Sequence, residues 1–318
     1  MKRHQLIESL MQEAERERRC VYSTDSRSRC ALDRRVTAGE LLRVFPNMYI
    51  SVERWHALTP PQRSLHIART LQRQHPTWVF AGVTAAAIHG FDHQWLLHDG
   101  GIDVLSRDHS DQATGKSLNR IRRFYTSQPD YEVVDGLRTA SAARTLVDCA
   151  LTCEFRYALA MFDSALRQGV TTESVERECA RLHRDCAPVF RLLRYADPAR
   201  ENGGESLSYA TIVDARFMLP QVQVEIVDPT TGRTYRVDFL WRLPDGRIVV
   251  GELDGVAKYI DPSMTDGRSI HGVVADERER EQALRRAGVT AIVRFTFREV
   301  LAVTPFLAKL RATGIPYR

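Results

Sequence analysis

The stretch TYRVDFLWRLPDGRIVVGELDG, residues 234–255, decides how the last third of the chain folds. Residues 234–241 are rich in aromatic and β-branched side chains, and residues 247–255 form a second apolar run. Pro244, Asp245 and Gly246 separate the two runs and are typical turn residues. The sequence therefore predicts two neighbouring strands joined by a tight turn.

The residues on both sides extend this pair into a small α/β unit. The stretch PARENGG, residues 198–204, marks a boundary before it, so we expect the unit to span residues 201–318. Apolar periodicity predicts helices that begin at Glu205 and over 276–286 and 299–312, and strands over 221–228 and 291–297. The predicted order of elements is α-β-β-β-α-β-α.

Acidic side chains are concentrated on the two central strands. Asp238 lies in the first strand and Glu252 in the second, so the turn between them can bring both carboxylates to one end of the sheet. Asp254 projects from the same face as Glu252, because side chains two residues apart share a face. Glu205 can reach this group from the preceding helix. Converging carboxylates repel one another unless a cation neutralises them, and Mg²⁺ or Mn²⁺ suits such oxygen ligands.

The motifs YRVDFLW, VVGELDG, REQAL with Arg280, and VRFT with Arg294 resemble the PD-(D/E)XK nuclease superfamily, in particular very-short-patch repair endonucleases. The resemblance covers about residues 201–312 and implies a restriction-endonuclease-like core that cleaves phosphodiester bonds. It implies that Asp238 and Glu252 bind the metal ion. Asp254 would then assist catalysis, and Glu205 would complete the acidic shell.

One position departs from the pattern of this superfamily. Its E-x-K motif would place a lysine at residue 254, where this chain has Asp254. Lys258 and Arg280 are the candidates for the missing positive charge, which stabilises the transition state. Three interpretations therefore stay open: an active nuclease, an inactive or purely DNA-binding nuclease fold, and ordinary acidic residues at strand ends.

The N-terminal segment, residues 1–58, is basic, and its pattern of elements predicts a winged helix. Residues 1–76 hold 14 Lys and Arg against 8 Asp and Glu, whereas the whole chain carries a net charge of +5. An amphipathic helix over 4–20, a helix near 27–35 and a hairpin over 39–52 are predicted in this order. We expect a nucleic-acid partner, with these arginines on or beside the recognition helix and in the wing: Arg27, Arg29, Arg34, Arg35 and Arg43.

The middle segment, residues 59–197, begins after Thr59-Pro60-Pro61 and mixes short strands with helices. The stretches NMYIS, VFAGVTAAAIHGF and GLRTASAARTLVDCAL resemble the AbiEi-type antitoxins of abortive-infection systems, over about residues 1–190. This resemblance implies a winged helix before a second domain, binding to promoter DNA, and a cognate toxin as partner. The two resemblances together suggest a role in phage defence or DNA repair, or else a non-catalytic antitoxin that regulates its own transcription.

Composition excludes some classes of protein. Hydrophobic residues make up 43% and charged residues 27%, and no apolar run approaches the length of a membrane span. The N-terminus has no apolar secretory core, so we expect a cytoplasmic protein without membrane association. The six cysteines form no CxxC pair, which favours reduced thiols over a zinc site.

Overall fold

The computed structural model describes residues 5–107, 120–127, 129–182, 184–254 and 270–318. They belong to two compact units, the first within residues 1–154 and 168–194 and the second within 155–167 and 195–318. Both units combine helices with strands, which confirms the predicted mixed α/β class. The division into segments 1–58, 59–197 and 201–318 stays a prediction.

The first part of unit one is a small helical and antiparallel β structure. Its elements are α1 (Gln5–Arg16), β1 (Val21–Tyr22), α2 (Ser26–Thr37), β2 (Leu41–Phe45), β3 (Met48–Ser51) and α3 (Val52–Ala57). Asp25 caps α2 by accepting a hydrogen bond from the Ser28 backbone N–H at 2.8 Å. The strands pair in the order β1-β3-β2. The predicted helices and hairpin are confirmed, whereas the two-residue strand β1 and the short helix α3 were not predicted.

The rest of unit one surrounds two short pairs of strands. In chain order the elements are α4 (Pro60–Gln74), α5 (Gly82–His89), β4 (Ile102–Ser106), β5 (Ile121–Tyr125), β6 (Glu132–Val134), β7 (Leu137–Thr139) and α6 (Ala142–Thr152), then α7 (Phe155–Arg167) of unit two, then α8 (Thr172–Arg181) and α9 (Ala187–Tyr195). Strands β4 and β5 pair in parallel, and β6 and β7 are antiparallel. Phe45 of the hairpin shares one buried core with Ile67 and Phe80.

Unit two is built on a four-stranded mixed sheet. Besides α7, it contains α10 (Gly203–Asp214), β8 (Gln221–Val227), β9 (Thr234–Arg242), β10 (Ile248–Asp254), α11 (Ile270–Arg286), β11 (Ala291–Thr296), α12 (Phe297–Ala302) and α13 (Thr304–Ala312). The strand order is β11-β10-β9-β8, with β10 and β11 parallel and the other pairs antiparallel. The predicted order from α10 onward is confirmed, except that the closing helix is divided at Val303.

In β8 and β9 the regular alternation of side chains between the two faces of the sheet is interrupted. Residues two apart in a regular strand share a face. Here Val222 and Phe239 pack in one buried core, whereas Val224 and Val237 pack in another. The two residues between them are Gln223, which has a φ of +52°, and Asp238. The irregularity therefore lies where the sheet carries the first residue of the predicted acidic site.

Candidate acidic site

Asp238 lies where β9 and β10 separate. The backbone pairing of these strands ends at Gly251 and Phe239. Just beyond this pair, the Leu253 backbone N–H donates a hydrogen bond of 2.9 Å to Oδ2 of Asp238. The half-buried carboxylate thus accepts a main-chain hydrogen bond from the neighbouring strand and is held between the two strands.

Glu252 lies on β10 between two guanidinium groups. Arg280 on α11 donates to its Oε1 from Nη2 at 2.6 Å and from Nε at 3.1 Å. Arg294 is its partner in the parallel register with β11, and its Nε lies 3.6 Å from Oε2 of Glu252. The carboxylate is therefore neutralised from both sides, and such charge-assisted bonds are the stronger class of hydrogen bond.

The two arginines also have contacts of their own. Arg280 Nη2 donates to the backbone carbonyl of Arg236 at 2.6 Å. Arg294 forms an ion pair with Glu277 and lies 3.9 Å from Glu281. Both side chains are partly exposed to solvent, 27% for Arg280 and 33% for Arg294. An anion in solution can therefore reach both guanidinium groups.

Glu205 is held in the first turn of α10 by three donors. It accepts hydrogen bonds from the Glu201 backbone N–H at 2.9 Å, Asn202 Nδ2 at 2.6 Å and Gln223 Nε2 at 2.9 Å. Burial raises the pKa of Glu205, and the negative charge of Asp238 acts in the same direction. Glu205 and Asp238 are thus close enough to interact, and Gln223, which the sequence did not single out, connects β8 to this group.

The other two predicted catalytic residues are placed differently. Asp254 is the last residue of β10, half-buried, and lies opposite Thr296 of β11. Its charge acts on the guanidinium of Arg294. Lys258 lies outside the described residues. Of the two candidates for the missing positive charge, Arg280 is therefore the one that the structure brings to Glu252.

Asp238 and Glu252 offer oxygen ligands of the kind that Mg²⁺ prefers. Among the residues with described positions, no group of three His, Cys, Asp or Glu side chains could hold a metal ion. Mg²⁺ is commonly held by one or two carboxylates, with waters and substrate phosphates as its other ligands. Asp238 and Glu252 fit this smaller requirement, provided that Glu252 exchanges part of its arginine contacts for the cation.

The predicted DNA-binding arginines lie on α2 and β2. Arg27, Arg29 and Arg34 on α2 and Arg43 on β2 are exposed. Arg35 is different: only 11% of its side chain is exposed, and its guanidinium lies 3.9 Å from acidic oxygens of both Glu8 and Glu40. The exposed arginines are thus available to phosphates, whereas Arg35 faces acidic neighbours in the same unit.

No protein-family model matches this chain, and no curated protein matches it. In the described part of the chain, no helix is both long and apolar enough to span a membrane.

Proposed function

We propose that the protein binds DNA and that its second unit is a metal-dependent endonuclease of the PD-(D/E)XK type. The observation that carries the proposal is the position of Asp238 and Glu252 on neighbouring strands, with Arg280 and Arg294 beside them. Phosphodiester hydrolysis needs acidic ligands for a cation and positive charge for the phosphate. A cytoplasmic location, where such a substrate is present, is part of the proposal.

Each residue has a distinct role in this proposal. Asp238 and Glu252 would hold Mg²⁺ or Mn²⁺, and the ion would polarise the phosphate and activate a water molecule. With a cation on Glu252, Arg280 and Arg294 would be available to stabilise the negative charge of the phosphate. Glu205 supplies a further carboxylate, and the burial that raises its pKa favours a part in proton transfer.

A cleavage assay tests this proposal. Purified protein is incubated with supercoiled plasmid and with single-stranded DNA, with Mg²⁺, Mn²⁺ or a chelator. We expect metal-dependent cleavage, reduced at least about a hundredfold by Asp238→Asn or Glu252→Gln. Asp245→Asn is the matched control, since it removes an exposed carboxylate from the turn between the same strands. Absence of cleavage by the wild type, or equal cleavage by the site variants, contradicts the nuclease assignment.

A second function is favoured by the charge pairing at Glu252. Its two arginine partners and the presence of Asp254 in place of a lysine are compatible with a site that has lost catalysis. In that case the protein is a DNA-binding regulator resembling the AbiEi-type antitoxins, with promoter DNA and a cognate toxin as partners. The winged-helix assignment and the three-segment organisation belong to this proposal as well.

A gel-shift assay on the DNA upstream of the gene tests the regulator. Arg29→Ala with Arg34→Ala removes two exposed cations from α2 and is expected to weaken the complex. Arg35→Ala alone should have a smaller effect on DNA affinity, because its guanidinium already faces Glu8 and Glu40. Unchanged binding by the double variant would show that α2 is not the recognition helix.

A further inference from the structure

A second basic surface lies in unit one, separate from the exposed arginines of α2 and β2. It is an open groove of about 670 Å³ between the end of α1, α4 and the turn that joins β6 to β7. Five arginines line it: Arg16, Arg18, Arg19, Arg69 and Arg73. Only two acidic residues, Glu17 and Asp135, line it as well. Hereafter this surface is called the arginine groove.

The acidic residues of the arginine groove are already neutralised. Glu17 forms ion pairs with Arg73 and, at 2.5 Å, with Arg19. The hydrogen bond from Arg73 and, to a smaller extent, the one from Arg19 lower the pKa of Glu17 to about 2. Asp135 pairs with Arg69 at 2.5 Å. Arg19 also reaches Glu13, which lies outside the lining, at 2.9 Å.

The surplus positive charge belongs to Arg16 and Arg18. Both are exposed, and neither has an ion-pair partner among the residues that the structure places. The backbone at Arg18 has a φ of +50°, where the chain turns away from α1. Its carbonyl accepts a hydrogen bond of 3.3 Å from Arg69 Nη1, which ties this turn to α4. The two free cations are thus carried by a braced turn at the end of a helix.

We infer that the arginine groove binds the phosphate backbone of duplex DNA. This inference rests on the DNA binding of the proposed function and adds a contact surface to it. Duplex DNA carries a negative charge about every 3.4 Å along each strand, so it matches cations that are spread over an open groove. A single small anion would need donors that converge on one point, whereas these arginines are spread over the end of α1, the turn after it and α4. Three of them already pair with Glu17 or Asp135.

Fluorescence anisotropy with a labelled duplex of mixed sequence, titrated at several salt concentrations, tests the inference. The variant Arg16→Gln with Arg18→Gln is compared with Arg177→Gln with Arg184→Gln, which removes the same charge from exposed positions of unit one outside the groove. We expect the groove variant to bind roughly tenfold more weakly at moderate salt. The slope of log K against log salt should fall by about 0.9 for each lost phosphate contact.

Further variants separate the possible outcomes. Arg16→Lys with Arg18→Lys keeps the charge and should retain most of the affinity. If the wild type binds DNA and the Gln variant keeps the affinity and salt slope of its control, the inference is wrong while the proposed function stands. If the wild type does not bind DNA at all, both fail. If the groove variant and its Arg177/Arg184 control lose DNA affinity equally, the net charge of the protein alone determines binding. That result would also contradict the inference that the arginine groove is a DNA contact surface.

Discussion

Asp163 and Arg200 form an ion pair that is almost completely buried in unit two. Each side chain is 1% exposed, and the two are joined by hydrogen bonds of 2.6 Å and 2.8 Å. Asp163 also accepts from the Asp197 backbone N–H, and Arg200 donates to the carbonyl of Tyr195. The guanidinium lies 4.3 Å from the ring centre of Tyr209. The pair thus joins α7 to α10 and to the segment before it.

Removal of one partner of this pair should destabilise unit two strongly. Arg200→Met leaves the Asp163 carboxylate buried without its counter-ion, which typically costs about 3–5 kcal/mol. The double variant Asp163→Leu with Arg200→Met removes both charges and should recover a large part of that loss. Urea unfolding of the two variants measures the difference. Equal stability of the single and double variants would contradict the role assigned to the buried charge.

Gly251 precedes Glu252 because β10 passes closely over Trp241. A Cβ at Gly251 would lie 2.8 Å from Cζ3 of Trp241 and 3.3 Å from Cβ of Phe239. The indole cannot easily give way, since its Nε1 donates to the carbonyl of Met218 at 2.8 Å. We expect Gly251→Ala to cost about 1–3 kcal/mol of unfolding free energy, as overpacking usually does. In a Trp241→Phe background the added methyl should cost less, which denaturant unfolding of the four proteins checks.

At the scale of elements, two histidines in the segment between α5 and β4 are joined by a hydrogen bond. Nε2 of His93 lies 2.6 Å from Nε2 of His98, and Nδ1 of His98 lies 2.8 Å from the hydroxyl of Ser64. Nδ1 of His93 donates to the carbonyl of Phe91 at 2.6 Å, so its Nε2 accepts from His98. This chain of hydrogen bonds is complete when both rings are neutral.

Acidification should therefore destabilise unit one. Burial lowers the pKa of His98 to about 3 and also lowers the pKa of His93. Below pH ~6.5 the unfolded chain binds protons that the folded chain does not, so stability falls as the pH decreases. The loss for His98 between pH ~6.5 and ~5 is at most about 2 kcal/mol. Urea unfolding against pH measures it, and His98→Asn should flatten the curve relative to the exposed control His56→Asn.

The elements that sequence predicted well are those with local signals. Asp25 before α2 and the turn at Pro244–Gly246 mark boundaries with side chains that act on their own neighbours. The two-residue strand β1 is too short to show periodicity. Residues 172–194 contain two helices, α8 and α9, rather than one, because Leu182 is extended. Asp185 then accepts a hydrogen bond from the Ala187 backbone N–H at the start of α9.

The candidate site was predictable only in part. The neighbouring positions of Asp238 and Glu252 follow from two strands and one turn. The pairing of Glu252 with Arg280, 28 residues away, depends on how α11 lies on the sheet, which no local pattern reports. Gln223 was missed because QVQVEIV alternates like a regular strand, whereas its φ of +52° breaks the alternation. The placement of such residues depends on tertiary contacts rather than on the intrinsic helix or strand propensity of the local sequence.

At the scale of the whole molecule, the two units are interleaved along the chain. Helix α7 belongs to unit two, although residues 168–194, which follow it, belong to unit one. Its side chains Leu159, Met161 and Phe162 are fully buried. Helix α7 packs against α10, and its Asp163 forms the buried ion pair with Arg200, so α7 contributes to the stability of unit two.

A fragment that begins at residue 201, where the sequence suggests a boundary, should therefore fold poorly. It lacks α7 and so leaves the apolar surface of α10 uncovered. A fragment of residues 195–318 lacks Asp163 but keeps its buried partner Arg200, and the unpaired charge should lower the free energy of unfolding further. Residues 155–167 joined to 195–318 by a flexible Gly/Ser linker should instead unfold cooperatively in urea. If residues 201–318 alone unfold with the same midpoint and slope as the linked fragment, α7 is not an integral part of unit two.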